Sequence, residues 1–129
     1  MLFASQLHDL KNSLPWRTKR LQQQALRTIV EQKRRVYPAE QAAADSQVVV
    51  GKIEQSAAFR NARTVLLYYP IHNEVDLRPL LDKYCDSKTM LLPVTHRKAM
   101  EIRPYTGKAC LKQGYAHIPE PQTPAYTGK

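Results

Sequence analysis

Two short apolar runs, each closed by a proline, constrain this chain more than any other feature. Thr64-Val65-Leu66-Leu67-Tyr68-Tyr69 precedes Pro70, and Lys88-Thr89-Met90-Leu91-Leu92 precedes Pro93. β-Branched, aromatic and aliphatic residues packed this densely suit buried strands, the first over 64–69 and the second over 88–92, ending at Pro93. Between them Ile71 to Asp76 reads as a loop, and Asp76 can cap a short helix reaching about Tyr84. Strand, helix and strand in that order are usually solved by a right-handed crossover between parallel strands. Residues 99–105 are expected to add another strand. Gly107, Gly114, Pro119, Pro121 and Pro124 then mark an irregular run, with one helical turn over 109–112.

Upstream the pattern is helical. Leu21, Ala25, Leu26, Ile29, Val30 and Val36 recur at helical spacing, so 18–36 reads as an amphipathic helix. Tyr37-Pro38 breaks it, because proline disfavours helix in the residue before it and suits the first turn of a new one. A second helix is expected over 38–55, with Ala42, Ala43, Val49, Val50 and Ile53 facing inward. In open α/β sheets ligands collect beyond the carboxyl ends of the strands. The loop from Tyr69 to Asp76 is therefore the candidate binding surface, with a second strand end at Pro93 to Arg97.

The 129 residues suffice for one domain. The longest apolar stretch, Val65 to Tyr69, is too short to span a bilayer of about 30 Å, so no membrane partner is expected. His8, Asp9 and Lys11 interrupt the N-terminus before a leader-sized apolar segment accumulates, and Cys85 and Cys110 are too few for a disulfide framework. A cytoplasmic setting is expected. His72, His96 and His117 stand alone, with no metal-ligand spacing. Of the net charge of +9, the segment from Arg17 to Arg35 carries +6, with seven basic residues against Glu31. Such a field attracts polyanions without saying which, and a basic helical face is also commonly just solvated.

The succession Leu26-Arg27, Lys33-Arg34, Ala62-Arg63-Thr64-Val65-Leu66-Leu67-Tyr68-Tyr69, Glu74-Val75-Asp76, Leu92-Pro93, Met100, Gly114 and Ile118-Pro119-Glu120-Pro121 resembles the 5-formyltetrahydrofolate cyclo-ligase family, also called methenyltetrahydrofolate synthetases. The resemblance spans about residues 19–121. It implies an α/β fold with a mostly parallel sheet flanked by helices in three layers. It also implies conversion of 5-formyltetrahydrofolate, with ATP and Mg²⁺, to 5,10-methenyltetrahydrofolate. Phosphorylation of the formyl oxygen would create a good leaving group, which attack by the second folate nitrogen would expel. By the same resemblance Tyr69, Glu74 and Met100 are substrate-binding, and Arg27 lies near the nucleotide phosphates. Gln23 stands where the family has a lysine. Glu120, between two prolines, reads as part of a rigid turn and is kept as an additional candidate.

Family members continue past Glu-Pro into a further strand and a glycine-rich basic stretch that wraps the ATP phosphates. The glycines here, Gly51, Gly107, Gly114 and Gly128, offer no phosphate-cradling spacing. The expectation is thus an N-terminal extension over 1–18, then over 19–129 the front part of a cyclo-ligase-like domain, incomplete at its C-terminus. The exposed sheet edge of such a chain would favour self-association. Two other functions compete with the ligase: a catalytically inactive folate- or nucleotide-binding fragment, and a small basic nucleic-acid-binding domain. Against the last, the aromatic residues cluster in a buried-looking strand rather than among the basic ones, a poor stacking platform, so no nucleic-acid partner is expected.

Overall fold

The computed structural model describes residues 19–128, and the expected extension over 1–18 lies outside the described residues. These fall into two compact units, one ending at Tyr37 and the other beginning at Pro38. In the first, α1 (Lys19–Val36) is built from strong helix formers, with Lys33, Arg34 and Arg35 in its last turn, where cations complement the helix dipole. Its apolar stripe is only partly covered. Ala25, Leu26 and Ile29 are half-buried, whereas Leu21, Val30 and Val36 are exposed.

The second unit opens with α2 (Ala39–Gln55), led in by Pro38. Its inward stripe is Ala42, Ser46, Val50 and Ile53, while the expected Ala43 and Val49 are exposed. Successive steps of four carry the stripe around the helix and centre it near Ser46, so Ala43 and Val49 fall at its two margins, where they remain exposed. Ser56 ends α2 and starts α3 (Ala57–Asn61), its hydroxyl accepting from Phe59 N at 3.2 Å. Phe59 then enters the core edge-on to Tyr84, with ring centroids 4.9 Å apart.

A three-stranded sheet follows, formed by β1 (Thr64–Leu66), β2 (Thr89–Thr95) and β3 (Met100–Pro104) in that spatial order. β2 is central, parallel to β1 and antiparallel to β3, so the α/β architecture carries a mixed sheet. The helix α4 (Arg78–Tyr84) joins the parallel pair and buries Leu80 and Leu81 completely. Leu80 and Leu81 pack with Val50, Phe59, Leu77, Met90, Leu92 and Tyr105 into one core. A small antiparallel hairpin, β4 (Leu111–Gln113) and β5 (Pro119–Pro121), completes the unit.

Pro93 explains two departures from the strand limits expected above. The parallel ladder runs from Thr89 N–H on Arg63 O (2.8 Å) to Leu67 N–H on Leu91 O (3.0 Å). The next rung requires an N–H from residue 93, and proline has none. Pairing therefore stops at Leu67, and Tyr68 and Tyr69 leave the strand. β2 itself does not end at Pro93 but continues to Thr95, because its bonds there are needed only on the β3 side. Proline is tolerated where its nitrogen faces no neighbouring strand.

Candidate functional site

The interrupted ladder leaves the carboxyl end of the β1–β2 pair open. Beyond β1, His72 and Asn73 adopt left-handed backbone (φ 32° and 43°) and turn the chain back on itself. Glu74 closes that turn from both sides. Its N–H donates to Ile71 O at 3.2 Å, and its Oε2 accepts from Ile71 N–H at 3.0 Å. The Tyr68 hydroxyl donates to Val75 O at 3.1 Å. Ser46, buried on α2, accepts from Asp76 N–H at 3.0 Å and ties the loop's end to the core helix.

Asp76 reaches past the cap position, held by Leu77, to accept from Arg78 N at 3.1 Å and from its guanidinium Nε and Nη2 at 2.8 Å each. This hydrogen bonding holds the Asp76 carboxyl below the usual carboxylate range. The Arg78 guanidinium is correspondingly raised, first by Asp76 and more weakly by Tyr69. Tyr69 is half-buried against the core, so one residue serves both packing and the loop. The loop thus presents a fixed carboxylate at Glu74 and a neutralised ion pair at Asp76–Arg78.

At the end of β2, Thr95 stands opposite Met100 in the antiparallel ladder. Met100 is 70% exposed, so it packs into no core and is available for contact from outside. Thr95 N–H faces the side that β1 no longer covers, and Glu120 Oε1 accepts from it at 3.1 Å. Glu120 is buried at 7% exposure on β5. Gly114 makes this possible, because a Cβ there would lie 2.1 Å from Glu120 Oε2. The β4–β5 connection carries two more left-handed residues, Ala116 and His117 (φ 53° and 62°).

Of the expected site residues, the structure brings Tyr69, Glu74 and Met100 to the carboxyl end of the parallel pair, on the second unit. Gln23 and Arg27 lie exposed on α1 in the first. Arg27 lines a shallow groove of about 250 Å³ with Leu26, Val30, Glu31 and Arg34. Ser46 was legible only as a polar residue on an apolar helical stripe. A wider cleft of about 680 Å³ opens at the opposite end of the sheet, lined by Arg63, Lys88, Thr89, Tyr105 and Tyr126 among others. Two of its polar groups, Lys88 and Tyr105, are engaged in holding the fold. Lys88 Nζ donates to Ala62 O (2.6 Å) and Arg60 O (3.1 Å) at the end of α3, and the Tyr105 hydroxyl donates to Asp82 Oδ1. The carboxyl end is the better candidate on chemistry, because it carries a fixed carboxylate at Glu74 and the exposed Met100.

Among the described residues no three His, Cys, Asp or Glu side chains gather as a metal-binding group. These residues therefore offer no all-protein cage for Mg²⁺. Among them, too, no helix is long and apolar enough to cross a membrane.

Residues 19–127 match the 5-formyltetrahydrofolate cyclo-ligase family. The fold is similar to the NMR structure of Aquifex aeolicus 5,10-methenyltetrahydrofolate synthetase, with 29% sequence identity and a TM-score of 0.73. The match covers 80% of this chain and 54% of that one, so the chain spans about half the length of the synthetase. No curated protein matches the sequence.

Proposed function

Because the chain belongs to the 5-formyltetrahydrofolate cyclo-ligase family, we propose that it serves the ATP-dependent conversion of 5-formyltetrahydrofolate to 5,10-methenyltetrahydrofolate. The family match across residues 19–127 carries this reading, and the open strand end with Glu74 fixed beside it supports it. Tyr69, Glu74 and Met100 form the folate subsite. The Glu74 carboxylate accepts from pterin N–H groups, and the exposed Met100 side chain covers a flat ring. Gln23 and Arg27 form the nucleotide subsite, where Arg27 supplies positive charge to phosphate oxygens. Mg²⁺ would enter on those phosphates, as it commonly does, rather than in a cage of protein ligands. The protein's part is positioning and charge neutralisation, while phosphorylation makes the formyl oxygen a good leaving group. The half-buried free cysteines, Cys85 and Cys110, suit a reducing cytoplasm.

A second reading is folate binding without turnover, which needs only the carboxyl-end residues of the second unit. A nucleic-acid partner is not proposed, because α1 carries its basic residues without an aromatic among them.

Incubation of the chain with 5-formyltetrahydrofolate, ATP and Mg²⁺ separates the two. Appearance of the methenyl chromophore only when all three are present supports the ligase. Folate binding without that absorbance supports the second reading, and no folate binding removes both. Glu74→Gln is expected to weaken 5-formyltetrahydrofolate binding about tenfold, the effect of one charged hydrogen bond, while leaving ATP affinity unchanged in calorimetry.

A further inference from the structure

Glu120 is a buried carboxylate of which only one oxygen accepts a hydrogen bond from the described residues. A carboxylate offers two oxygens and about four lone-pair sites, and burying one is costly unless they are engaged. Oε1 takes the Thr95 N–H at 3.1 Å. Oε2 accepts no hydrogen bond from any described residue, and packs against the bare Cα of Gly114. Yet no fully sealed side-chain oxygen lacks a partner among the described residues, so Oε2 keeps contact with the outside. The other nearby bond to Glu120, from Gln122 Nε2 at 3.2 Å, goes to its main-chain carbonyl and leaves the carboxylate untouched.

The place of this oxygen matters as much as its state. Thr95 is the last residue of β2, at the carboxyl end of the parallel pair, and its ladder partner is the exposed Met100. A carboxylate needed only to satisfy Thr95 N–H could be a neutral acceptor, which would cost less to bury. On the folate reading above, we infer that Glu120 is a further substrate-binding residue, whose Oε2 accepts a hydrogen bond from an N–H of the reduced pterin. Oε1 fixes the side chain to the strand end and Oε2 reads the ligand. Gly114 provides the space that this carboxylate occupies.

Glu120→Gln tests this with little change of shape. The amide oxygen still accepts from Thr95 N–H, while the amide nitrogen replaces the acceptor at Oε2 with a donor. Titration calorimetry with 5-formyltetrahydrofolate is expected to show a Kd raised at least about tenfold. The melting temperature should stay within about 4 °C of the parent. An unchanged Kd, with the wild-type chain binding normally, would overturn the inference and leave the folate reading standing. Failure of the wild-type chain to bind 5-formyltetrahydrofolate would overturn the folate reading and this one with it. Should the variant not fold, carbon NMR of the wild-type chain decides. The Glu120 Cδ resonance is expected to move on adding 5-formyltetrahydrofolate, and a Cδ that stays still while the Met100 methyl moves would reject the contact.

Discussion

Removing one hydroxyl should change how this chain responds to alkali. Burial first, and then the hydrogen bond to Asp82, push the Tyr105 phenol above its ordinary range. The folded state therefore favours the protonated form. That contribution is complete below about pH 10, the unfolded value, and is lost as pH rises towards the higher folded one. Tyr105→Phe should cost about 1 kcal/mol at neutral pH and flatten the fall in melting temperature above pH 10. On the acid side the sign reverses. Asp76 is held low by Arg78, and Glu101 by His96 and Arg103, so both support folding above about pH 4 and lose that effect as pH falls through their depressed values. Asp76→Asn should reduce the acid sensitivity of the melting temperature. Gly114→Ala should destabilise by about 1–3 kcal/mol in urea unfolding, because its methyl meets the Glu120 carboxylate. At this scale the sequence was only partly legible. Glu74 stood out through its family succession, but nothing in the Gly114 and Glu120 spacing announced that one makes room for the other. That contact arises only when β5 pairs with β4.

Each element's identity was easier to read than its limits. The helices over 19–36 and 39–55 follow from apolar spacing and from Pro38, which local sequence displays directly. The inward face of α2 was harder, since a serine belongs to it and two apolar residues do not. Ser46 is there because it accepts the Asp76 N–H, a partner 30 residues away. Strand ends were misjudged for a similar reason: whether a proline terminates pairing depends on which neighbour its nitrogen faces. Pro93→Val would supply the missing donor. It should extend the parallel ladder, slow amide exchange at Tyr69 and weaken 5-formyltetrahydrofolate binding, by drawing the start of the loop into the sheet. Leu81→Ala, by contrast, should leave every strand in place and cost about 2–5 kcal/mol, because α4 buries that side chain completely.

For the whole molecule, charge and apolar exposure act against each other. The outer side of β1 carries Leu66 at 57% exposure, with Tyr68 at 40% just beyond it, a surface on which strands associate. The net charge of +9 opposes that association through repulsion screened by salt. Sedimentation should therefore show a mass that rises with concentration, and more steeply at 0.5 M than at 0.05 M NaCl, roughly a threefold change in Debye length. A single mass under both conditions would remove self-association through this edge. The α/β class was legible because a parallel pair cannot be made without a crossover, and the residues for one lay in order along the chain. That β3 runs antiparallel was not, because the short connection after Thr95 reveals its direction only once paired.

The absence of a single hydrogen on Pro93 forks a ribbon that would otherwise zip shut. The mouth between the two prongs is thus written into covalent structure rather than held apart by opposing forces, and it persists with nothing bound. A descendant or redesign can exchange almost any apolar neighbour in β2, but it can give up the imino acid only by finding another wedge.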